Sequence, residues 1–166
     1  MAKSKYTKPY VDSSVIVAWI HGEKSRTEIF TDILKAAEAG LFRIFTSSLT
    51  IVETHRPRGQ DASSIKKSDE LLDFFEHDFL EFIDVDRRVA ERAHRLCRDC
   101  RLRPCDAIHV ACALKAGCEV LLTWDGDYKD LEIPSLDIRQ PEIVIGQPTL
   151  PDLAQNVEDE SAKTRK

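Results

Sequence analysis

Pro104-Cys105-Asp106-Ala107-Ile108-His109-Val110-Ala111-Cys112-Ala113-Leu114-Lys115-Ala116-Gly117-Cys118-Glu119-Val120-Leu121-Leu122-Thr123-Trp124-Asp125 is the stretch that decides the fold. Proline suits the first turn of a helix, where its missing N–H loses nothing, and glycine suits the position just past the end. The sequence therefore predicts a helix from Pro104 through Ala116, closed by Gly117. The apolar run that follows, Glu119 to Thr123, is too short for a second helix and reads as a strand. One acid, Asp106, sits at the start of the helix, and another, Asp125, lies just beyond the strand. Strands alternating with helices in this way build a mainly parallel sheet covered on both faces.

The same grammar extends outward in both directions. Pro9-Tyr10-Val11 is a short strand, Asp12 stands at its exit, and Ser13 to about Ile20 reads as a helix. Ser25-Arg26-Thr27-Glu28 matches a capping box and predicts the start of the next helix, which Gly40 ends. A strand is expected near Arg43 to Thr46. Ser47 or Ser48 then caps a helix that carries Glu53. Arg56 to Asp61 breaks regular structure, a helix starts near Ser63, and Phe79 to Val85 forms a strand. The helix from Arg87 to Cys100 turns Val89, Ala93, Leu96, Cys97 and Cys100 inward and Arg88, Arg92, Arg95 and Asp99 outward. A last strand falls at Leu136 to Ile138 or at Ile143 to Ile145. The pattern predicts one folded domain over residues 1–146 and a flexible tail over 147–166, where prolines and charges replace the apolar periodicity.

At 166 residues the chain is long enough for one domain with a substantial core. Its apolar stretch Val15 to Ile20 is too short to span a bilayer and follows no secretory pattern, so no membrane role and a cytoplasmic location are expected. The net charge of −5 argues against bulk adhesion to nucleic acid, but not against a site whose acidity a metal neutralises. The cysteines at 97, 100, 105, 112 and 118 are odd in number and confined to one region, unlike a secreted disulfide framework. They read as buried small apolar residues rather than half of a zinc site. Arginines 87, 88, 92, 95, 98, 101 and 103 crowd the segment ahead of Asp106. Arg92 and Arg95 are the candidates there for binding RNA or a partner, the alternative being a solvated helix face.

Taken singly, each acid has a structural reading: Asp12 as a helix cap, Glu53 as an exposed helical residue, Asp106 in a first turn and Asp125 in a turn before glycine. Taken together, Asp12, Glu53, Asp106 and Asp125 stand where the chain turns out of one structural element into another. In an open α/β sheet such positions meet outside the carboxyl ends of the strands. Unpaired carboxylates about 4 Å apart repel by roughly 4 kcal/mol at an effective dielectric near 20, and a divalent cation removes that cost. Hard oxygen ligands with room for water and phosphate suit Mg²⁺ or Mn²⁺. The pattern reads as a metal site for phosphate chemistry.

Four segments occur in order: Tyr10-Val11-Asp12-Ser13-Ser14-Val15-Ile16, Thr46 to Glu53, Pro104 to Ala111, and Leu121 to Tyr128. Through them the chain, from about Tyr10 to Ile145, resembles the PIN-domain ribonuclease family, especially the VapC-type toxins of prokaryotic toxin–antitoxin pairs. The resemblance implies a three-layer α/β/α sandwich and an acidic pocket of Asp12, Glu53, Asp106 and Asp125, with Asp127 as an auxiliary metal ligand. It also implies Ser14 and Thr123 as hydroxyls beside the first and last acids. Trp124 departs from the pattern, in which a basic or small polar residue is common. The implied activity is metal-dependent endoribonuclease hydrolysis of RNA, with a small antitoxin as partner and a homodimer as assembly. The alternatives are a catalytically silent PIN-like module that binds RNA or protein, and a haloacid-dehalogenase-type phosphatase. The latter is disfavoured because Ser14 stands where a second Asp would be needed. His109 reads as a packed or supporting residue rather than a catalytic one.

Overall fold

The computed structural model describes residues 5–55, 70–129 and 131–144. Strand β1 (Pro9–Val11) leads into α1 (Ser13–Ile20) and α2 (Lys24–Glu38), and β2 (Ile44–Ser47) into α3 (Ser48–Glu53). Residues 70–75 are helical, here α4. The chain continues through β3 (Leu80–Ile83), α5 (Arg87–Cys100), α6 (Pro104–Ala116), β4 (Val120–Leu122), a 3-10 turn (Gly126–Tyr128) and β5 (Asp137–Arg139). The expected break at Arg56 to Asp61, the helix start near Ser63 and the tail 147–166 lie outside the described residues.

The five strands are ordered β3-β2-β1-β4-β5, and every pairing is parallel. All carboxyl ends therefore open on one edge. β1 sits between β2 and β4, so strand order reverses there, the place where open α/β sheets hold ligands. Pro9, which has no N–H to give, occupies the first position of β1, where a sheet tolerates it.

Strand alternation divides the core into two. Val11 and Leu122 pack with Val15, Ile16, Phe30 and Ile33 of α1 and α2 on one face. Tyr10 and Leu121 face Val89 and Ala93 of α5 and Ala107, Val110 and Ala111 of α6 on the other. The architecture is a three-layer α/β/α sandwich with helices on both faces of a parallel sheet. Among the described residues no helix is long and apolar enough to cross a membrane.

Several boundaries differ from expectation for local reasons. α2 begins at Lys24 with Glu23 as its cap residue, and Ser25 lies inside the helix, so the capping box does not form. Arg26 instead bonds back to Glu23 at 2.8 Å. Ser47 holds the cap position of α3 without a side-chain cap bond. The last strand is Asp137–Arg139, while Ile143 is half exposed and outside any strand. Cys112 and Cys118 are buried, and burial pushes both thiols up to about 12. Cys100 and Cys105 are exposed, against the expectation of buried thiols: α5 closes at Cys100, and Cys105 lies in the first turn of α6.

α5 stops because Arg101 adopts a left-handed conformation, φ 57°, where glycine is the favoured residue. A side chain there costs about 1–2 kcal/mol. Arg101→Gly is expected to raise stability by about 0.5–1 kcal/mol, after allowing for glycine's looser unfolded state. A urea midpoint that stays put or falls would show that the arginine side chain outweighs the strain.

Candidate active site

Asp12 leaves β1 at the reversal of strand order and is 3% exposed. It caps α1: its Oδ1 accepts the Ser14 amide at 2.9 Å and the Ser14 hydroxyl at 2.5 Å. Its Oδ2 accepts the Thr123 hydroxyl at 2.7 Å. Ser14 and Thr123 are in turn held from β4's side, since the Trp124 amide donates to the Ser14 hydroxyl and the Asp125 amide to that of Thr123, each at 2.9 Å. Thus two hydroxyls relay backbone donors of the Thr123–Asp125 loop onto one carboxylate. Burial nevertheless wins, and the Asp12 carboxyl is raised above its ordinary range despite the bonds from Ser14 and Thr123.

Glu53 enters from the end of α3 and meets α6 through His109. The ring Nε2 lies 2.7 Å from Glu53 Oε2, and Nδ1 lies 2.8 Å from the Tyr10 hydroxyl. Burial holds the Tyr10 phenol well above its ordinary value, so it keeps its proton. Burial works to raise Glu53, but the bonds from His109, Ser13 and Cys105 outweigh it and hold the carboxyl below its usual range. Glu53 is therefore aimed and kept anionic.

The other acids gather around a residue from the corner between α5 and α6. Arg103 caps α6 in extended conformation. Its Nε donates to Asp106 at 2.7 Å and reaches Asp127 at 3.0 Å, and its Nη2 donates to Asp125 at 2.7 Å and to Asp106 at 3.3 Å. Asp125 also caps the 3-10 turn by accepting the Asp127 amide at 2.9 Å. Asp106 is 7% exposed. The Asp125 amide is thus linked to Asp12 through the Thr123 hydroxyl, and Glu53 bonds to Ser13, the residue that follows Asp12 in the chain.

Among the described residues no three His, Cys, Asp or Glu side chains stand in a ready metal-binding group. The reason is visible in the contacts: a guanidinium lies among Asp106, Asp125 and Asp127, and Glu53 is turned to His109. The donor set still fits a hard divalent cation, being carboxylate oxygen throughout. A second feature agrees. The Tyr128 hydroxyl is buried without a hydrogen-bond partner among the described residues, and the charges of Asp12, Asp106 and Asp125 add to burial in raising it well above its ordinary value. A buried donor left unpaired near three acids is suited to a bound water.

Arg92 and Arg95 fall elsewhere. They line an open depression of about 390 Å³ with Leu96, Asp99, Cys100, Leu114, Ile133 and Ser135, and their contacts include none of the four acids. Trp124 packs against the α1–α2 core with the Arg26 guanidinium 5.0 Å above its ring, so its side chain is already engaged. Sequence reading missed Arg103 and Tyr10. The only signal for Arg103 was its place three residues before Asp106, within a crowd of arginines.

The PIN domain family model matches residues 10–134. No curated protein matches the chain. Solved structures with a similar fold include a toxin–antitoxin complex from Klebsiella pneumoniae, at 20% identity and TM-score 0.56, covering 77% of this chain and 94% of that one. VapBC2 from Rickettsia felis, bound to a promoter DNA fragment, is similar at 15% identity and TM-score 0.61, covering 82% of this chain and 100% of that one. The sarcin–ricin-loop-cleaving toxin VapC20 from Mycobacterium tuberculosis is similar at 17% identity and TM-score 0.57, covering 73% and 92%.

Proposed function

The chain belongs to the PIN domain family, and from that premise we propose that it is a metal-dependent endoribonuclease, the toxin of a toxin–antitoxin pair. The observation that carries this reading is the delivery of Asp12, Glu53, Asp106 and Asp125 to one edge of the sheet, beside a stranded Tyr128 hydroxyl. Asp12, Glu53, Asp106 and Asp125, with Asp127 at the rim, would hold Mg²⁺ or Mn²⁺. Bound there, such an ion neutralises charge on a phosphate oxygen and acidifies a water.

The chain's own residues divide the remaining work. Ser14 and Thr123 fix both oxygens of Asp12, so its free lone pair has one direction. His109 keeps Glu53 anionic and able to orient a water. The Tyr128 hydroxyl, buried and unpaired among the described residues, would donate to a water held near the acids. Arg92 and Arg95 would contact RNA or the antitoxin away from the chemistry. Two structures of similar fold, a toxin–antitoxin complex and VapBC2, support a small antitoxin as partner. A cytoplasmic homodimer completes the proposal.

The test is direct. Purified protein should cut single-stranded RNA with Mg²⁺ or Mn²⁺ and stop when EDTA is added, activity returning when the metal is restored. Cleavage that persists in EDTA, or none with either metal in the absence of antitoxin, would defeat the assignment.

A further inference from the structure

Arg103 is the charged residue of this cluster that the proposed chemistry leaves without a task. Its position is unfavourable by local rules: it caps the N-terminus of α6, where the helix dipole repels a cation. What offsets this is the set of bonds to Asp106, Asp125 and Asp127. Those bonds use Nε and Nη2 and leave Nη1 free of the acids. The side chain is 60% exposed, so it can swing without disturbing the core. A divalent cation seated among the same carboxylates would contend with the guanidinium for the same oxygens and repel it.

We propose that Arg103 is an exchangeable clamp, holding Asp106, Asp125 and Asp127 together in the metal-free protein and passing to a backbone phosphate of the RNA strand once metal takes those oxygens. The inference rests on the nuclease reading for its second half only. A planar guanidinium serves both stages, because its fork matches carboxylate and phosphate alike. The exchange makes metal and substrate cooperate: each removes a competitor of the other.

The experiment compares wild type with Arg103→Gln in two arms. In the first, without RNA, Mn²⁺ binding is followed by electron paramagnetic resonance, and the variant should bind about tenfold tighter because a competing charge is gone. In the second, with saturating Mn²⁺, anisotropy of a labelled phosphorothioate single-stranded RNA should show weaker binding and a salt slope shallower by about 0.7, one lost phosphate contact. Arg103→Lys, which keeps charge but not the fork, should restore the salt slope while staying between the other two in Mn²⁺ affinity. It also serves if the Gln variant folds poorly. A residue that merely organises the acids would give the opposite first result, so equal or weaker Mn²⁺ binding by Arg103→Gln overturns the clamp. Unchanged RNA affinity and slope overturn the transfer to phosphate. Failure of the nuclease reading looks different: wild-type protein then binds no RNA at any Mn²⁺ concentration, and the exchange falls with it.

Discussion

Asp12→Asn should reduce RNA cleavage by about a thousandfold or more, since the several kcal/mol that a bound metal supplies corresponds to at least that factor. The fold should survive the change. An Asn oxygen can keep the Ser14 amide and hydroxyl bonds, and its NH₂ can donate to Thr123, whose hydroxyl then turns toward Ser14, 3.2 Å away. Metal-free stability should rise. Asp12's carboxyl is raised by burial, so its contribution to stability is greatest below the ordinary carboxylate pKa and is lost as pH rises through the raised one. Asn does not ionise and escapes that loss. The melting temperature of Asp12→Asn should therefore exceed wild type at pH 7 in EDTA, with the gap closing as pH falls into the carboxylate range. A variant that cleaves at the wild-type rate would remove Asp12 from the chemistry, and one that melts lower at pH 7 would contradict the electrostatic account.

His109→Ala should cost about 3–5 kcal/mol of stability. Two effects combine. The ring is 2% exposed and leaves a cavity, and the fully buried Tyr10 hydroxyl loses its partner. Glu53 suffers less, because its side chain is 24% exposed and water can replace the ring. Adding Tyr10→Phe to His109→Ala should therefore recover about 1–2 kcal/mol by removing the stranded hydroxyl, whereas Tyr10→Phe alone should destabilise. Urea denaturation of the four proteins in this cycle measures the coupling. Additive losses would mean that the two rings merely occupy the same core.

The strands β1 and β4 were legible because each is a short apolar run ending in an acid, and α6 because proline and glycine mark its ends. Those cues are local, and local physics sets them. The capping box at Ser25 failed for a physical reason too: Gly22, with φ 68°, lets the chain turn early, and Glu23 opens α2 before Ser25 can cap it. The acids were visible as a group through their positions at element boundaries. Their wiring was not. The bond between His109 and Glu53 joins residues 56 apart, and that between Arg103 and Asp125 residues 22 apart on opposite sides of a strand. No periodicity encodes such contacts, and an arginine among seven carries no mark of the one that turns inward. Arg92 and Arg95 illustrate the converse: charge density pointed to α5, while the corner after it supplied the arginine that meets the acids.

The parallel pairing of β1 with β4 also fixes when this cluster can come into being. Asp12 and its Thr123 partner are 111 residues apart, so the acid is made early and its partner late. At typical synthesis rates of 5–20 residues per second, about 6–22 s separate the two on the ribosome. Throughout that interval β1 lacks one of its two neighbours, and the acid lacks the hydroxyl and loop that orient it. The cluster is thus incomplete on a growing chain and closes only once β4 and the loop after it have been made.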